Sequence, residues 1–123
     1  MEVLLIEATE DSPKITLDVG NNVFQILGRS LPENAIGFYQ PVFDWLQAYI
    51  QSPGPATTFE FMLEYFNTAS AKQIAKILLF LEKLSSKSEV VVKWYYKPDD
   101  MDMLSSGQRY AKLINVRFEV LEY

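Results

Sequence analysis

The chain of 123 residues is 49% hydrophobic and carries a formal net charge of −5, with no Cys and no His. This length and composition fit one globular domain over residues 1–123, and the missing residue types exclude disulfide frameworks, zinc fingers and catalytic sites that depend on a thiol or an imidazole. The acidic balance and the scattered Lys and Arg residues argue against nucleic acid and anionic membranes as partners, because both are negatively charged.

The N-terminal part of the chain predicts three strands. Residues 2–7 form a short apolar run, and residues 15–19 alternate apolar and polar side chains, the pattern of a half-buried strand. Residues 20–22 read Gly-Asn-Asn, which is turn chemistry because Gly and Asn tolerate positive φ. Residues 23–27 are again largely apolar. The second and third runs therefore predict a β-hairpin.

A first helix and a fourth strand are predicted next. Residues 30–34 contain Ser, Pro and Asn, which predict a break before the helix. The regular part of the helix is expected to begin at Pro41, because proline inside a helix removes a hydrogen bond. Residues 59–65 alternate Phe, Leu and Tyr with Glu and Met, which predicts a strand with Tyr65 on its apolar side.

The C-terminal half predicts two more helices and two more strands. Residues 90–96 are almost continuously apolar, which is typical of a central strand covered on both faces. The third helix is expected to end near Leu113, and residues 116–121 alternate as a last strand. The fold class is therefore α/β, with an N-terminal hairpin followed by β-α-β-α-β-α-β, a mixed sheet, right-handed crossovers and packed helices.

The segment of residues 65–72 joins the fourth strand to the second helix and has two possible roles. Thr68 or Asn67 can accept a hydrogen bond from an unpaired N–H of the helix and act as its N-cap. Alternatively, a phosphate on Thr68 would meet free N–H groups and the positive end of the helix dipole, so the domain would tolerate the modification. Spacing alone favours the capping role.

Carboxylates suggest two further sites, and both have simpler explanations. Asp99, Asp100 and Asp102 lack the glycine and terminal glutamate of a calcium loop, and acidic residues are common in the first turn of a helix. Glu60 and Glu64 would lie about 13–14 Å apart along one strand, which is too far for the acid–base pair of a glycosidase. We therefore predict no metal, no cofactor and no catalytic residues.

Two features near the predicted helix starts remain ambiguous. The aromatic run of residues 94–96 is expected to belong mostly to the core, although Tyr96 would make a good interface anchor if it is exposed. Arg29 and Glu33 either form an ion pair near a helix start or contact a partner.

Several separated stretches carry a resemblance to a known family. They are Ser-Pro-Lys-Ile at 12–15, Gly-Arg-Ser-Leu-Pro-Glu-Asn at 28–34, Phe-Tyr-Gln-Pro at 38–41 with Trp45, Glu-Tyr-Phe-Asn-Thr-Ala-Ser at 64–70, and Trp-Tyr-Tyr at 94–96 through Asp-Asp-Met-Asp-Met at 99–103. In this order, over nearly the whole chain, the sequence resembles the SiaC family of bacterial biofilm-regulating phosphoproteins, whose fold is similar to STAS domains.

The resemblance implies a function that composition does not show. Family members are not enzymes; a serine/threonine kinase phosphorylates the Thr of the Asn-Thr-x-Ser segment and a PP2C-like phosphatase reverses it. The unphosphorylated form binds and activates a diguanylate cyclase of the GGDEF type, which raises cyclic di-GMP. Here Thr68 falls on that Thr, with Asn67 and Ser70 as its neighbours. From their places near the predicted helix starts, Arg29, Glu33, Tyr96, Asp99 and Asp100 are the candidate partner-binding residues.

Two departures from the family pattern limit what the resemblance implies. Position 69 is Ala, where a second hydroxyl is common, and residues 104–107 read Leu-Ser-Ser-Gly in place of a more acidic run. The alternatives are a module like the anti-sigma-factor antagonists, or a small-ligand-binding or carboxylate enzyme domain. Because no signal peptide or membrane span is apparent, we expect a cytoplasmic protein.

Overall fold

Six strands and three helices alternate along the chain in a computed structural model that describes residues 1–123. Their bounds are β1 Leu4–Ile6, β2 Lys14–Asp18, β3 Val23–Ser30, α1 Ala35–Tyr49, β4 Ala56–Phe66, α2 Thr68–Leu84, β5 Glu89–Tyr96, α3 Met101–Leu113 and β6 Arg117–Glu122. The order of elements agrees with the predicted hairpin followed by alternating strands and helices. None of the three helices is long and apolar enough to cross a membrane.

All six strands belong to one mixed sheet, in which the spatial order is the chain order, β1-β2-β3-β4-β5-β6. Strands β1, β2 and β3 pair antiparallel, whereas β3, β4, β5 and β6 pair parallel. Each parallel connection carries one helix, and successive right-handed crossovers in the same direction place all three helices on the same face of the sheet.

The core lies between this face and the helices. Buried side chains alternate along each central strand, for example Phe59, Phe61 and Leu63 on β4 and Val92 and Trp94 on β5. The helices contribute a second layer of buried apolar side chains, which include Tyr39, Val42, Leu46, Ile74, Ile77, Leu78 and Leu81.

The prediction that the strand of residues 90–96 is covered on both faces is wrong. Val91, Lys93 and Tyr95 are only half-buried, because no helix packs on their side of the sheet. The sequence run looks continuously apolar because two of the residues on this open face, Val91 and Tyr95, are themselves apolar or aromatic. On this face Tyr95 donates a hydrogen bond to Glu60 at 2.8 Å.

The predicted hairpin is confirmed, and its turn is stabilised by a positive φ and by side-chain hydrogen bonds. Strands β2 and β3 pair from Lys14↔Leu27 to Asp18↔Val23. Asn22 adopts a positive φ of 54°, and the Asp18 carboxylate accepts hydrogen bonds from the backbone and side chain of Asn21 at 3.1 and 2.8 Å.

Helix α1 begins before the proline that was expected to open it. Asn34 caps the helix by accepting a hydrogen bond from Gly37 N at 3.1 Å, so the helix starts at Ala35 and contains Pro41. Pro41 lies on the exposed side of α1, where water can satisfy the carbonyl that loses its N–H partner. The side-chain cap and the buried apolar stripe together outweigh this loss.

The three helices begin at the same edge of the sheet, because each follows the carboxyl end of a parallel strand. We call the region formed by residues 29–36, 64–73 and 96–103 the carboxyl edge. Each helix start there has a side-chain cap, provided by Asn34, Asn67 and Asp100 respectively. The segment that sequence analysis singled out around Thr68 lies at the middle of this edge.

Candidate functional site

Thr68 is the first residue of α2 and is exposed. The capping role belongs to Asn67, whose side-chain oxygen accepts a hydrogen bond from Ser70 N at 2.9 Å. Of the two residues predicted as possible caps, the structure confirms Asn67, which has the extended backbone of a cap, and not Thr68. No hydrogen bond within the chain involves the Thr68 hydroxyl, so it is chemically available.

Ser70 has the opposite environment, although it is only two residues away. Its side chain is fully buried and lies 2.8 Å from Ser30 Oγ, which is itself 2.6 Å from the hydroxyl of Tyr39. This buried chain of three hydroxyls ties the first turn of α2 to the end of β3 and to α1. Ser70 is thus a structural neighbour of Thr68 and has no surface to offer a kinase.

A bulge between β3 and β4 decides which side chains reach the carboxyl edge. The register moves from Gly28↔Leu63 to Arg29↔Tyr65, so Glu64 is an extra residue on β4. Gly28 permits this with a φ of 108°, a region that side chains with a Cβ rarely adopt. The bulge turns Tyr65 outward, to 47% exposure, and the prediction that it lies on the apolar side is wrong.

Arg29 packs on this aromatic ring. Its guanidinium carbon lies 5.7 Å from the Tyr65 ring centroid, which is within the range of a cation–π contact. The alternative ion pair between Arg29 and Glu33 does not form. The one ion pair in the chain joins Arg117 to Glu119 at 2.8 Å. Both Arg29 and Glu33 are exposed.

A cavity of about 360 Å³, the α2–α3 groove, lies beside Thr68. Its lining includes Thr68 from α2, Asp102, Met103 and Arg109 from α3, and Phe66 from the end of β4. The remaining lining residues are Glu64, Tyr65, Asn67, Ala71, Asp100 and Ser106.

A second groove lies between the starts of α1 and α2. This α1–α2 groove, a cavity of about 320 Å³, is lined by Glu33, Ile36 and Lys72, together with Asn34, Ala35, Ala69 and Gln73. Thr68 lines the α2–α3 groove, whereas the next residue, Ala69, lines the α1–α2 groove.

The acidic residues before α3 act as helix-start residues. The Asp100 side chain accepts a hydrogen bond from Met103 N at 3.0 Å, and Asp102 lies in the first turn. Asp99 is exposed beside them. No three carboxylates in the chain come together in a way that would hold a metal ion.

Trp94 and Tyr96 of the aromatic run on β5 face the core, whereas Tyr95 faces the open side of the sheet. Trp94 is fully buried and donates from Nε1 to Met103 O at 3.0 Å, which fixes α3 against the sheet. Tyr96 is half-buried and packs against the core. Of the predicted contact residues, Tyr96 and Asp100 are half-buried, whereas the other three are exposed.

The carboxyl edge also carries exposed apolar side chains that were not predicted from the sequence. Ile36 is 65% exposed in the first turn of α1, and Met101 is 54% exposed at the start of α3. Ile36, Met101 and Tyr65 thus belong to three different elements at the same edge as Thr68. The signal of Ile36 and Met101 was their position just after a helix start and outside the buried stripe, which becomes visible only once the helix bounds are known.

The fold displaces the pKa of four side chains. Burial raises the pKa of Tyr39 and of Tyr110 to about 12. The pKa of Tyr95 is raised because its hydroxyl donates to a carboxylate, and hydrogen bonds from a turn side chain and from turn backbone lower the pKa of Asp18. None of these four groups lines either groove, so they do not mark a catalytic acid or base there.

The fold and its carboxyl edge define a single-sheet α/β domain in which three helix starts surround one unengaged threonine. Residues 6–123 match the model of the SiaC family, described as regulatory phosphoproteins, and the chain belongs to that family. The resemblance found in the sequence is thereby confirmed. A relative from Pseudomonas aeruginosa (strain UCBPP-PA14), itself uncharacterised, is 29% identical over 97 residues, which cover 78% of this chain and 77% of the relative.

Solved structures confirm the α/β fold. SiaC of Pseudomonas aeruginosa, solved in its apo form, superposes with a TM-score of 0.89 at 24% identity, covering 98% of this chain and 99% of that chain. A second structure of SiaC gives a TM-score of 0.88 over the whole of both chains. SiaC has also been solved in complex with the diguanylate cyclase SiaD, of which it is the activator, and this copy superposes with a TM-score of 0.89 at 24% identity.

Proposed function

We propose that this chain is a non-catalytic regulatory protein and that reversible phosphorylation of Thr68 switches its binding to a partner protein. The observation that carries the proposal is the contrast at the start of α2. Thr68 has an exposed and unbonded hydroxyl, whereas the fold uses its neighbours Asn67 and Ser70 for a cap and a buried hydrogen bond. A modification at this position therefore changes the surface and leaves the core untouched.

The chemistry of the switch is a phosphoryl transfer. A serine/threonine kinase would bring a nucleoside triphosphate to Thr68, whose Oγ1 attacks the γ-phosphorus while the bond to the β-phosphate breaks. The nucleoside diphosphate leaves, the hydroxyl proton passes to a base of the kinase, and a PP2C-like phosphatase would hydrolyse the ester. The product adds about −1.5 to −2 of charge where the N–H groups of Thr68 and Ala69 have no acceptor within the helix.

The proposed partner of the unphosphorylated chain is a diguanylate cyclase with a GGDEF domain. Support comes from membership of the SiaC family and from the relative SiaC, which activates the cyclase SiaD. Since the partner acts in cyclic di-GMP signalling, we place this chain in the cytoplasm.

The proposed docking surface is the carboxyl edge. Exposed Ile36, Tyr65 and Met101 supply apolar contacts around Thr68, and a phosphate among them would have to lose its hydration when a partner covered it. Charged and polar residues at the same edge are the proposed rim contacts, namely Arg29, Glu33, Tyr96, Asp99 and Asp100.

The test measures binding and modification separately. The unmodified chain, Thr68→Ala and Thr68→Glu are titrated into a GGDEF-type diguanylate cyclase from the same organism, with calorimetry as the readout. Thr68→Ala is expected to bind as the unmodified chain does, and Thr68→Glu at least tenfold more weakly. Phosphate added by the cognate kinase is located by mass spectrometry and is expected on Thr68.

A matched control keeps the test specific. Ser86→Glu adds the same charge just beyond the opposite end of α2, at an exposed position, and is expected to bind normally. Equal affinities of Thr68→Glu and the unmodified chain, or phosphate found mainly on another residue, would contradict the proposal.

A further inference from the structure

The α2–α3 groove holds one cation, Arg109, in the same cavity as Thr68. The guanidinium makes a single hydrogen bond within the chain, to Ser106 Oγ on its own helix at 3.2 Å. No carboxylate pairs with it, since the chain's one ion pair involves Arg117. Four of the five N–H donors of an arginine side chain are therefore uncommitted.

A hydrogen bond between the two helices brings Arg109 to this side of the groove. The hydroxyl of Tyr110 donates to Ala71 O at 2.9 Å, which holds the third turn of α3 against the first turn of α2. Arg109 immediately precedes Tyr110, and Ala71 comes three residues after Thr68. The arginine and the threonine therefore flank the same contact between helices.

The other charges of the groove are acidic. Glu64, Asp100 and Asp102 line it with Arg109, so it carries three negative groups and one positive group before any modification. Asp100 is engaged as the cap of α3. The cation closest to Thr68 in sequence, Lys72, points to the other groove, which it lines. A dianion in the α2–α3 groove would thus find one counter-charge there.

We propose that Arg109 binds the phosphate of phosphorylated Thr68 across the α2–α3 groove. This inference rests on the proposed function, because it concerns the phosphorylated state of Thr68. The planar guanidinium donates two parallel hydrogen bonds to phosphate oxygens, a geometry that a lysine ammonium does not provide. The modification then ties α2 to α3 and fills the groove, so a partner loses both the open cavity and the free arginine.

The test uses the full chain with phosphothreonine incorporated at position 68 during translation, so that no kinase is needed. The readout is the titration midpoint of the phosphate in phosphorus NMR, which lies near pH 6 for a free phosphothreonine. A neighbouring cation favours the dianion and lowers the midpoint. In Arg109→Gln the midpoint is expected to rise by about half a pH unit or more, which is about a threefold change in proton affinity.

Two matched variants and one fold control make the result decisive. Arg29→Gln and Lys72→Gln remove cations from the same edge and are expected to move the midpoint by less than half as much. Circular dichroism of unphosphorylated Arg109→Gln checks that this variant folds. If Arg109→Gln does not fold, Arg109→Lys is used in its place, and a smaller rise of the phosphate midpoint is expected. An unchanged midpoint in the Arg109 variant, or equal rises in all three variants, would overturn the proposal. Because the phosphate is built in, this failure is distinct from a failure to find Thr68 phosphorylated in cells.

Discussion

Ser70 Oγ lies 2.8 Å from Ser30 Oγ, and both side chains are fully buried although 40 residues separate them. This hydrogen bond fixes the rotation of the first turn of α2. Since residues two apart on a helix face different directions, burying Ser70 turns Thr68 toward solvent. The orientation of the candidate switch residue is therefore set by a core contact.

We expect Ser70→Ala to lower the free energy of unfolding by about 1–2 kcal/mol, because it leaves the buried Ser30 hydroxyl without its acceptor. Thr68→Ala is the matched control and should change stability by less than about 0.5 kcal/mol, since the Thr68 side chain makes no hydrogen bond. Urea unfolding followed by circular dichroism measures both. Equal losses in the two variants would show that the buried chain of hydroxyls is not what distinguishes these positions.

The cap of α2 is expected to depend on Asn67. Asn67→Ala should cost about 1 kcal/mol of stability, because Ser70 N loses its side-chain acceptor. Asn67→Asp retains a side-chain oxygen and should keep most of the stability. Thermal unfolding of both variants is the measurement, and a melting temperature of Asn67→Ala equal to that of the unmodified chain would contradict the assignment.

Gly107 is expected to resist replacement. A Cβ at this position would lie 2.5 Å from Trp94 Cδ1, in a fully packed contact between α3 and β5. Gly107→Ala should therefore destabilise the domain by about 1–3 kcal/mol, although alanine favours a helix by about 1 kcal/mol at an unconstrained position. The exposed neighbour substitution Ser105→Ala is the control. Unfolding followed by tryptophan fluorescence measures the stability of both variants. A Gly107→Ala chain more stable than the unmodified chain would contradict this expectation.

Stability should fall at alkaline pH because of Tyr39. Burial raises the pKa of Tyr39 to about 12, so the fold holds the neutral phenol. The unfolded chain ionises first as pH rises through about 10, and this contribution to stability is lost between about pH 10 and 12, with a limiting slope of about 1.4 kcal/mol per pH unit. In Tyr39→Phe the slope should be shallower over this interval. Parallel stability curves for the two chains would contradict the assignment.

The order of elements could be predicted from the sequence because each depends on local patterns. The Gly20-Asn21-Asn22 turn requires a positive φ, and alternation or helical spacing marks the remaining elements. The face of β5 could not be predicted in this way. Val91 and Tyr95 are apolar or aromatic although no helix packs on their side of the sheet. The sequence of a single strand does not show which of its two faces the crossover helices will cover.

The central residue of the candidate site, Thr68, could be predicted from the sequence, but the side chains that lie around it could not. Thr68 followed from the resemblance and from its place between a strand and a helix. Exposed Tyr65 depended on a bulge that positive φ at Gly28 permits, and glycine alone does not specify a register shift. Arg109 was missed because a lone arginine on a helix carries no motif, and only the packing of α3 beside α2 brings it to the groove.

The place of β6 at the end of the sheet has a consequence for how the domain opens. This strand pairs with β5 alone, so α3 and β6 can detach together without breaking any other pair of strands. Such a partial opening would remove one wall of the α2–α3 groove while β3, β4 and α2 stay assembled. Amide hydrogens of β6 would then exchange faster than those of β4, and occupancy of the groove would slow them selectively.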